Sequence, residues 1–155
     1  MTENTTDPGY VSEQTGVVVH TAVSAEPLEA HLVDAKDATA TDAMGAVVTF
    51  EGTVRNHDGG AGVTALTYSH HPTAPDVLAR IAADTVAEYP DVRLWAEHRT
   101  GALAIGDLAF LVVIAAAHRG PAFEAVAAFA DTVKSQVPIW KEQELTDGST
   151  DWVGL

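Results

Sequence analysis

The chain has no cysteine. Disulfides, thiolate metal sites, a cysteine nucleophile and a persulfide carried on this chain are therefore excluded. Basic residues are scarce: eight Lys and Arg stand against 22 Asp and Glu, for a formal charge of −14. That balance argues against general nucleic-acid binding, which needs a basic face. It favours solubility but attracts no anion, so any anion site must work through local cations. No apolar run approaches the ~20 residues of a membrane span. The opening MTENTTDPGY lacks the basic and apolar regions of a signal peptide, so a cytoplasmic protein is expected. Aromatic residues make up only 6%, and with Ala and Val plentiful the core should be built from small side chains. HExxH, P-loop and dinucleotide-glycine signatures are missing, and so is GxSxG.

What is present fits one domain with a tail: 155 residues, 46% of them apolar, can fill a core. Residues 1–15 are polar and without periodicity and read as a disordered acidic tail, followed by a single domain over 16–155. Residues 16–23 are β-branched and read as a strand; a short helix through Leu28 to Val33 follows, then a polar connection over 34–42. Residues 45–55 form a second strand, in which Gly52 marks a bulge or a close backbone approach. A glycine-rich turn over 56–62 leads to a strand over 63–70, expected to pair antiparallel with the preceding one. Leu78, Ile81, Ala82, Val86 and Tyr89 recur at helical spacing until Pro90. A strand over 92–98, a loop over 99–107 and an apolar run over 108–117 come next, the last expected to be a central strand covered on both faces. Pro121 to about Gln136 reads as a helix burying Phe123, Val126, Ala127, Ala130 and Val133. A short strand over 137–145 and a polar turn over 146–155 close the chain. Strands joined both as hairpins and across helices point to an α+β domain with a mixed sheet and two to three helices.

Three of the eight cations lie between Phe110 and Glu144, together with His118. Arg55 ends an apolar strand before a glycine-rich loop, where its planar fork suits a phosphate or carboxylate; taken alone, it reads more simply as a strand-end arginine in water. His118 and Arg119 lie between a strand and a helix N-terminus, where free backbone N–H groups and the dipole favour an anion. A cation there has the wrong sign for the dipole. Arg119 makes sense if an anion sits between it and the helix, or if it pairs with an acid such as Glu124. Lys134 is near the C-terminus of the same helix, a sufficient structural reason for a cation. Lys141 follows Trp140; a partly desolvated lysine there can act as acid or base, or it can simply snorkel to the surface. His70 and His71 point to opposite faces of a strand and are poor joint metal ligands. His98-Arg99 ends a strand and can be explained by bonds to loop backbone. Arg119 and Lys134 are separated along one helix by ~20 Å. One site within one subunit cannot easily use both, so a site shared across a symmetric dimer is expected.

Taken in order, GAVVTFEGTVRNH (45–57), HRTGAL (98–103), AHRGPAFEA (117–125), DTVKSQVPIWKEQ (131–143) and the closing DG…WV resemble the large, catalytic subunit of molybdopterin synthase, the MoaE family. The likeness spans residues 16–154. It implies an α/β-hammerhead fold with an additional antiparallel sheet, and a homodimer that carries a small ubiquitin-like sulfur-carrier subunit at each end, making a heterotetramer. The carrier's C-terminal Gly-Gly thiocarboxylate would enter the large subunit's pocket. Sulfur transfer to cyclic pyranopterin monophosphate would then form the molybdopterin dithiolene, a step of molybdenum cofactor biosynthesis. The resemblance implies catalytic roles for Lys134 and Lys141. It implies substrate contacts from Thr53, Val54, Arg55, His118, Arg119, Lys134, Lys141, Glu142 and Gln143, with no metal and no cofactor on this chain. Family members often carry a further basic residue after PIWK and an arginine before the closing Trp-Val; here Glu142-Gln143-Glu144 and Ser149-Thr150-Asp151 stand instead. Those departures motivate the alternative reading, a non-catalytic dimeric scaffold that binds a Gly-Gly tail or an anionic metabolite.

Overall fold

The computed structural model describes residues 8–154. In chain order the elements are helix α1 (Pro8–Gln14), strand β1 (Val17–Ser24), a 3-10 turn (Leu28–His31), α2 (Leu32–Thr39), β2 (Ala46–Thr53), β3 (His57–Asp58), β4 (Ala61–His70), α3 (Ala74–Glu88), β5 (Val92–Arg99), β6 (Gly101–Ala104), β7 (Leu108–Ala116), α4 (Arg119–Gln136), β8 (Ile139–Leu145) and β9 (Thr150–Gly154).

The first sheet is mixed and runs β1-β5-β7-β2, with β1 parallel to β5 and the other pairs antiparallel. Strand β7 is interior and buried along nearly its whole length, as its unbroken apolar run requires. Alternation splits the sheet's residues between two faces. On one face Val92, Leu94 and Ala96 of β5 and Val112, Ile114 and Ala116 of β7 pack under α3 and α4. On the other, Trp95, Leu111 and Val113 pack against Leu28 of the 3-10 turn and Ala35 of α2. Phe129 of α4 is fully buried in the first layer; burying a side chain of this size is worth about 1.5–3 kcal/mol.

The second sheet is antiparallel: β3-β4-β8-β9, with β6 also on β4. A small core of Val54, Leu66, Leu103 and Ala109 joins it to the first sheet. The α+β class and the additional antiparallel sheet agree with expectation.

Several local readings are corrected. Strand β4 does not pair with β2; β2 lies on β7 and β4 lies between β8 and β6, because the 54–60 segment carries the chain from one sheet to the other. The polar connection after Val33 is helix α2, whose Ala35 and Thr39 are buried; its Ala and Lys content supports helix despite the polarity. The loop after Arg99 contains β6, and the closing turn contains β9. Among the described residues there are four α-helices rather than two to three. Of the region read as a tail, residues 1–7 lie outside the described residues. Pro8–Gln14 is helical, and Gln14 is tied down by Arg93 Nη1, which donates to its carbonyl at 2.9 Å.

Gly52 marks the expected bulge, and the closest neighbours at this position are side-chain atoms rather than another backbone. The β2–β7 register shifts between Gly52 and Thr53. A Cβ at Gly52 would lie 3.3 Å from both the Phe110 Cβ and the Phe50 ring.

Candidate active site

Beyond Ala96 on β5 and Val112 on β7, the face under α4 stops being aliphatic. The next residues in register are His98 on β5, Phe110 on β7 and Gly52 on β2, directly opposite one another across three strands. His98 stacks on Phe110 with ring centroids 5.4 Å apart, Tyr68 of β4 meets His98 edge-on at 5.1 Å, and Phe50 meets Phe110 edge-on at 6.0 Å. Gly52 contributes no side chain to this row, which leaves space above the rings. Helix α4 stands on one side with Phe123, Val126, Ala127, Ala130 and Lys134. The second sheet stands on the other with Leu66, Tyr68, Lys141 and Gln143. Together they enclose a cleft of about 680 Å³.

Strand alternation decides which side chains of β8 enter. Lys141 pairs with Tyr68 and Gln143 with Leu66, so both face the cleft. Trp140 and Glu142 face the other way, and neither lines the cleft. The expectation that Trp140 desolvates Lys141 is thereby corrected: neighbours on a strand point to opposite faces. Lys141 is nonetheless only 18% exposed, because Asp58 covers it, with Oδ2 3.4 Å from Nζ.

Asp58, in the turn after β2, holds three of the cleft's polar groups. Gln143 Nε2 donates to Asp58 Oδ2 at 2.6 Å, Lys141 Nζ approaches the same oxygen, and Arg55 Nη2 donates to Oδ1 at 3.3 Å. The Gln143 hydrogen bond, followed by the charges of Lys141 and Arg55, holds the Asp58 carboxyl below the usual carboxylate range. Gln143 is 2% exposed, and its Oε1 has no hydrogen-bond partner among the described residues.

His98 is 4% exposed. Burial drives it down to about 4, so the ring is neutral at pH 7. Its Nδ1 lies 2.8 Å from the Arg99 carbonyl oxygen. Nδ1 therefore carries the proton and Nε2 is left as an acceptor. Burial likewise raises Tyr68 above the ordinary tyrosine value, keeping its hydroxyl protonated.

The structure brings together Thr53, Val54, Arg55, Lys134, Lys141 and Gln143 of the expected set. The main chain of Val54 is not free: its N–H donates to Asp107 O and its carbonyl accepts from Gly106 N–H. Lys134, in the last turn of α4, is exposed and has no ion-pair partner among the described residues. His118 and Arg119 do not reach the cleft. Both are exposed at the far end of α4, and Arg119 forms no ion pair with Glu124 or any other described acid. The separation expected from helix geometry is therefore present: this chain's cleft contains the C-terminal cation of α4 and lacks the N-terminal pair.

Asp58, Tyr68, His98, Phe110 and Phe123 line the cleft, and none of them was expected from the sequence to be a site residue. Phe123 was expected in the buried stripe of α4, but it is 59% exposed. Val126 and Val133 are buried as expected, while Ala122, Ala125 and Phe129 take the places expected for Phe123, Ala127 and Ala130. Arg55 and Asp58 at i, i+3 in a turn were a readable signal for the ion pair. Nothing local marked His98 as a cleft residue, because its position depends on the register with β7.

A family model described as MoaE protein matches residues 23–136; Lys141 and Gln143 lie just beyond the matched span. The molybdopterin synthase catalytic subunit of Nostoc sp. is 42% identical over 115 residues, covering 73% of this chain and 70% of that protein. Its Escherichia coli counterpart is 41% identical over 113 residues, covering 72% and 75%. Among solved structures, molybdopterin synthase from Staphylococcus aureus superposes with a TM-score of 0.75 at 30% identity, over 92% of this chain and 98% of that one. A complex of subunits 1 and 2 of molybdopterin-converting factor from Helicobacter pylori shares the fold, with a TM-score of 0.68 at 21% identity.

Proposed function

The chain belongs to the MoaE family, and from that premise we propose that it is the catalytic subunit of molybdopterin synthase. In this reading it transfers sulfur from a thiocarboxylated small carrier subunit to cyclic pyranopterin monophosphate and so forms the molybdopterin dithiolene. The observation that carries the proposal is the convergence of Lys134, Lys141 and Arg55 on an aromatic-walled cleft in an otherwise strongly acidic chain. The rings of Phe110, His98 and Phe50 offer faces and edges to a flat heterocycle. The cations suit a phosphate and stabilise charge that builds on it as the cyclic ester opens. Proton transfers accompany attack by the thiocarboxylate and hydrolysis of the acyl intermediate, and Lys134 and Lys141 are the groups placed to make them. With sulfur arriving on the carrier, the lack of cysteine is no obstacle.

The cleft of one chain lacks His118 and Arg119. We place them in the cleft of a second copy, so that a homodimer completes two sites and carries one small subunit on each. The proposed compartment is the cytoplasm; no helix among the described residues is long and apolar enough to cross a membrane.

The test combines purified protein, thiocarboxylated carrier and cyclic pyranopterin monophosphate, and measures dithiolene. Wild-type protein should form it, and Lys134→Ala and Lys141→Ala should each lose activity by about 10²-fold or more while keeping the fold. Full activity in both variants would reject the lysine roles. No product from wild-type protein would favour the non-catalytic scaffold.

A further inference from the structure

Asp58 is out of place in a cleft meant for anions. It is an acid in contact with two cations that the proposed reaction needs, Lys141 and Arg55, and with the amide of buried Gln143. The three donors converge on a single carboxylate, which takes both charges and one amide hydrogen bond. Such a set of donors is a seat for an oxyanion. The side chain that fills it comes from the short β3 strand in a glycine-flanked turn, with Gly59 and Gly60 immediately after it at φ 55° and 83°. That turn pairs with β4 at His57↔Gly62 and Asp58↔Ala61, and Val63 N–H donates to the Asn56 carbonyl at its base.

We propose that Asp58 is a resident counter-anion that sets the affinity of the cleft for its ligand: an incoming oxyanion must displace the Asp58 carboxylate from Lys141, Arg55 and Gln143. The inference rests on reading the cleft as the active site. The oxyanion comes either from the phosphate of the pterin substrate or from the C-terminal carboxylate of the carrier tail, and both present the acceptor oxygens that Asp58 now supplies. Asp58 has a second effect while it remains in place. It keeps the largely covered Lys141 ammonium paired, so that this cation is not left as an uncompensated charge, and it holds the exposed Arg55 guanidinium at the cleft mouth. It acts through those two side chains and is a positioning residue, and its removal should appear in binding and KM before it appears in kcat.

The experiment measures the affinity of two probes, inorganic phosphate and a short peptide ending in Gly-Gly as the free acid, for wild-type protein and two variants. Asp58→Asn keeps the shape and removes the competing charge. Glu51→Gln removes one negative charge next to cleft residues Phe50 and Gly52 but outside the lining, and controls for net charge. Asp58→Asn should tighten at least one probe by about three- to tenfold, the range expected when a partly exposed competing ion pair is lost. Glu51→Gln should leave both probes within about twofold. Tightening of phosphate alone assigns the seat to the substrate, and tightening of the peptide alone assigns it to the carrier tail. Unchanged affinity for both probes in Asp58→Asn overturns the proposal. Equal tightening in the two variants also overturns it, because net charge would then explain the effect. In the reconstituted reaction Asp58→Asn should lower KM by a larger factor than it changes kcat. Since wild-type dithiolene formation tests the activity by itself, failure of the Asp58 inference and failure of the functional reading remain distinguishable.

Discussion

Two buried or half-buried histidines respond to pH with opposite sign. His98 is neutral in the folded protein because burial lowers it to about 4. The unfolded chain takes up a proton near pH 6.5, so stability on this account is full above that value and falls as pH drops from 6.5 towards 4. Over that interval the loss amounts to about 3 kcal/mol. His31 behaves the other way: its hydrogen bond to the buried Glu97 carboxylate, helped by the charges of Glu97 and Glu26, raises it. Its contribution is fully present below pH 6.5 and disappears as pH rises through its raised folded value. Urea unfolding from pH 4 to 8 checks both. A His98→Phe variant should lose the acid-side slope while a His31→Gln variant keeps it; an unchanged slope in His98→Phe would contradict the account. At the site, Arg55, Lys134 and Lys141 stood out as residues because cations are rare in this chain and stand beside apolar runs, whereas Gln143 was named only through the family resemblance. Asp58 and His98 were not. An acid is unremarkable among 22 acidic residues, and a strand-end histidine becomes a cleft wall only once its partner in register, Phe110, is known.

At the scale of elements, β7 and α4 carry the fold. The unbroken apolar run of β7 made it legible as a central strand, and it is covered on both faces. The stripe of α4 was read correctly at Val126 and Val133 and one position off at Phe123, Ala127 and Ala130. In an alanine-rich helix many faces look equally apolar, and the true face is set by Phe129 fitting beneath it. Phe129→Ala should therefore cost about 3–5 kcal/mol in denaturant unfolding. Phe123→Ala, exposed at the cleft, should change stability by less than about 1 kcal/mol and act on substrate affinity instead. A similar effect of both substitutions on stability would reject the corrected stripe. At the start of β2, a Cβ on Gly45 would lie 2.6 Å from the Ala117 carbonyl oxygen. Gly45→Ala should cost about 1–3 kcal/mol, since backbone must move to admit it. The pairing of β4 was unreadable locally: glycine-rich turns usually join neighbours, and nothing in residues 56–62 shows that this one changes sheets.

For the whole molecule the deciding geometry is the length of α4. Arg119 and Lys134 stand at its two ends, ~20 Å apart at about 1.5 Å per residue, and only Lys134 lines the cleft of its own chain. A shared site follows if both act on one substrate, and it makes a prediction that no single-chain site can meet. Arg119→Ala and Lys134→Ala homodimers should each be inactive. After the two are mixed and allowed to exchange subunits, each heterodimer has one intact site, with Lys134 from one chain and Arg119 from the other, and one doubly defective site. Random exchange makes half the dimers heterodimers, so dithiolene formation should return to about a quarter of wild type. Recovery near that level, measured in the reconstituted reaction with thiocarboxylated carrier, supports catalysis in a cleft completed across a dimer. No recovery after confirmed exchange would contradict it.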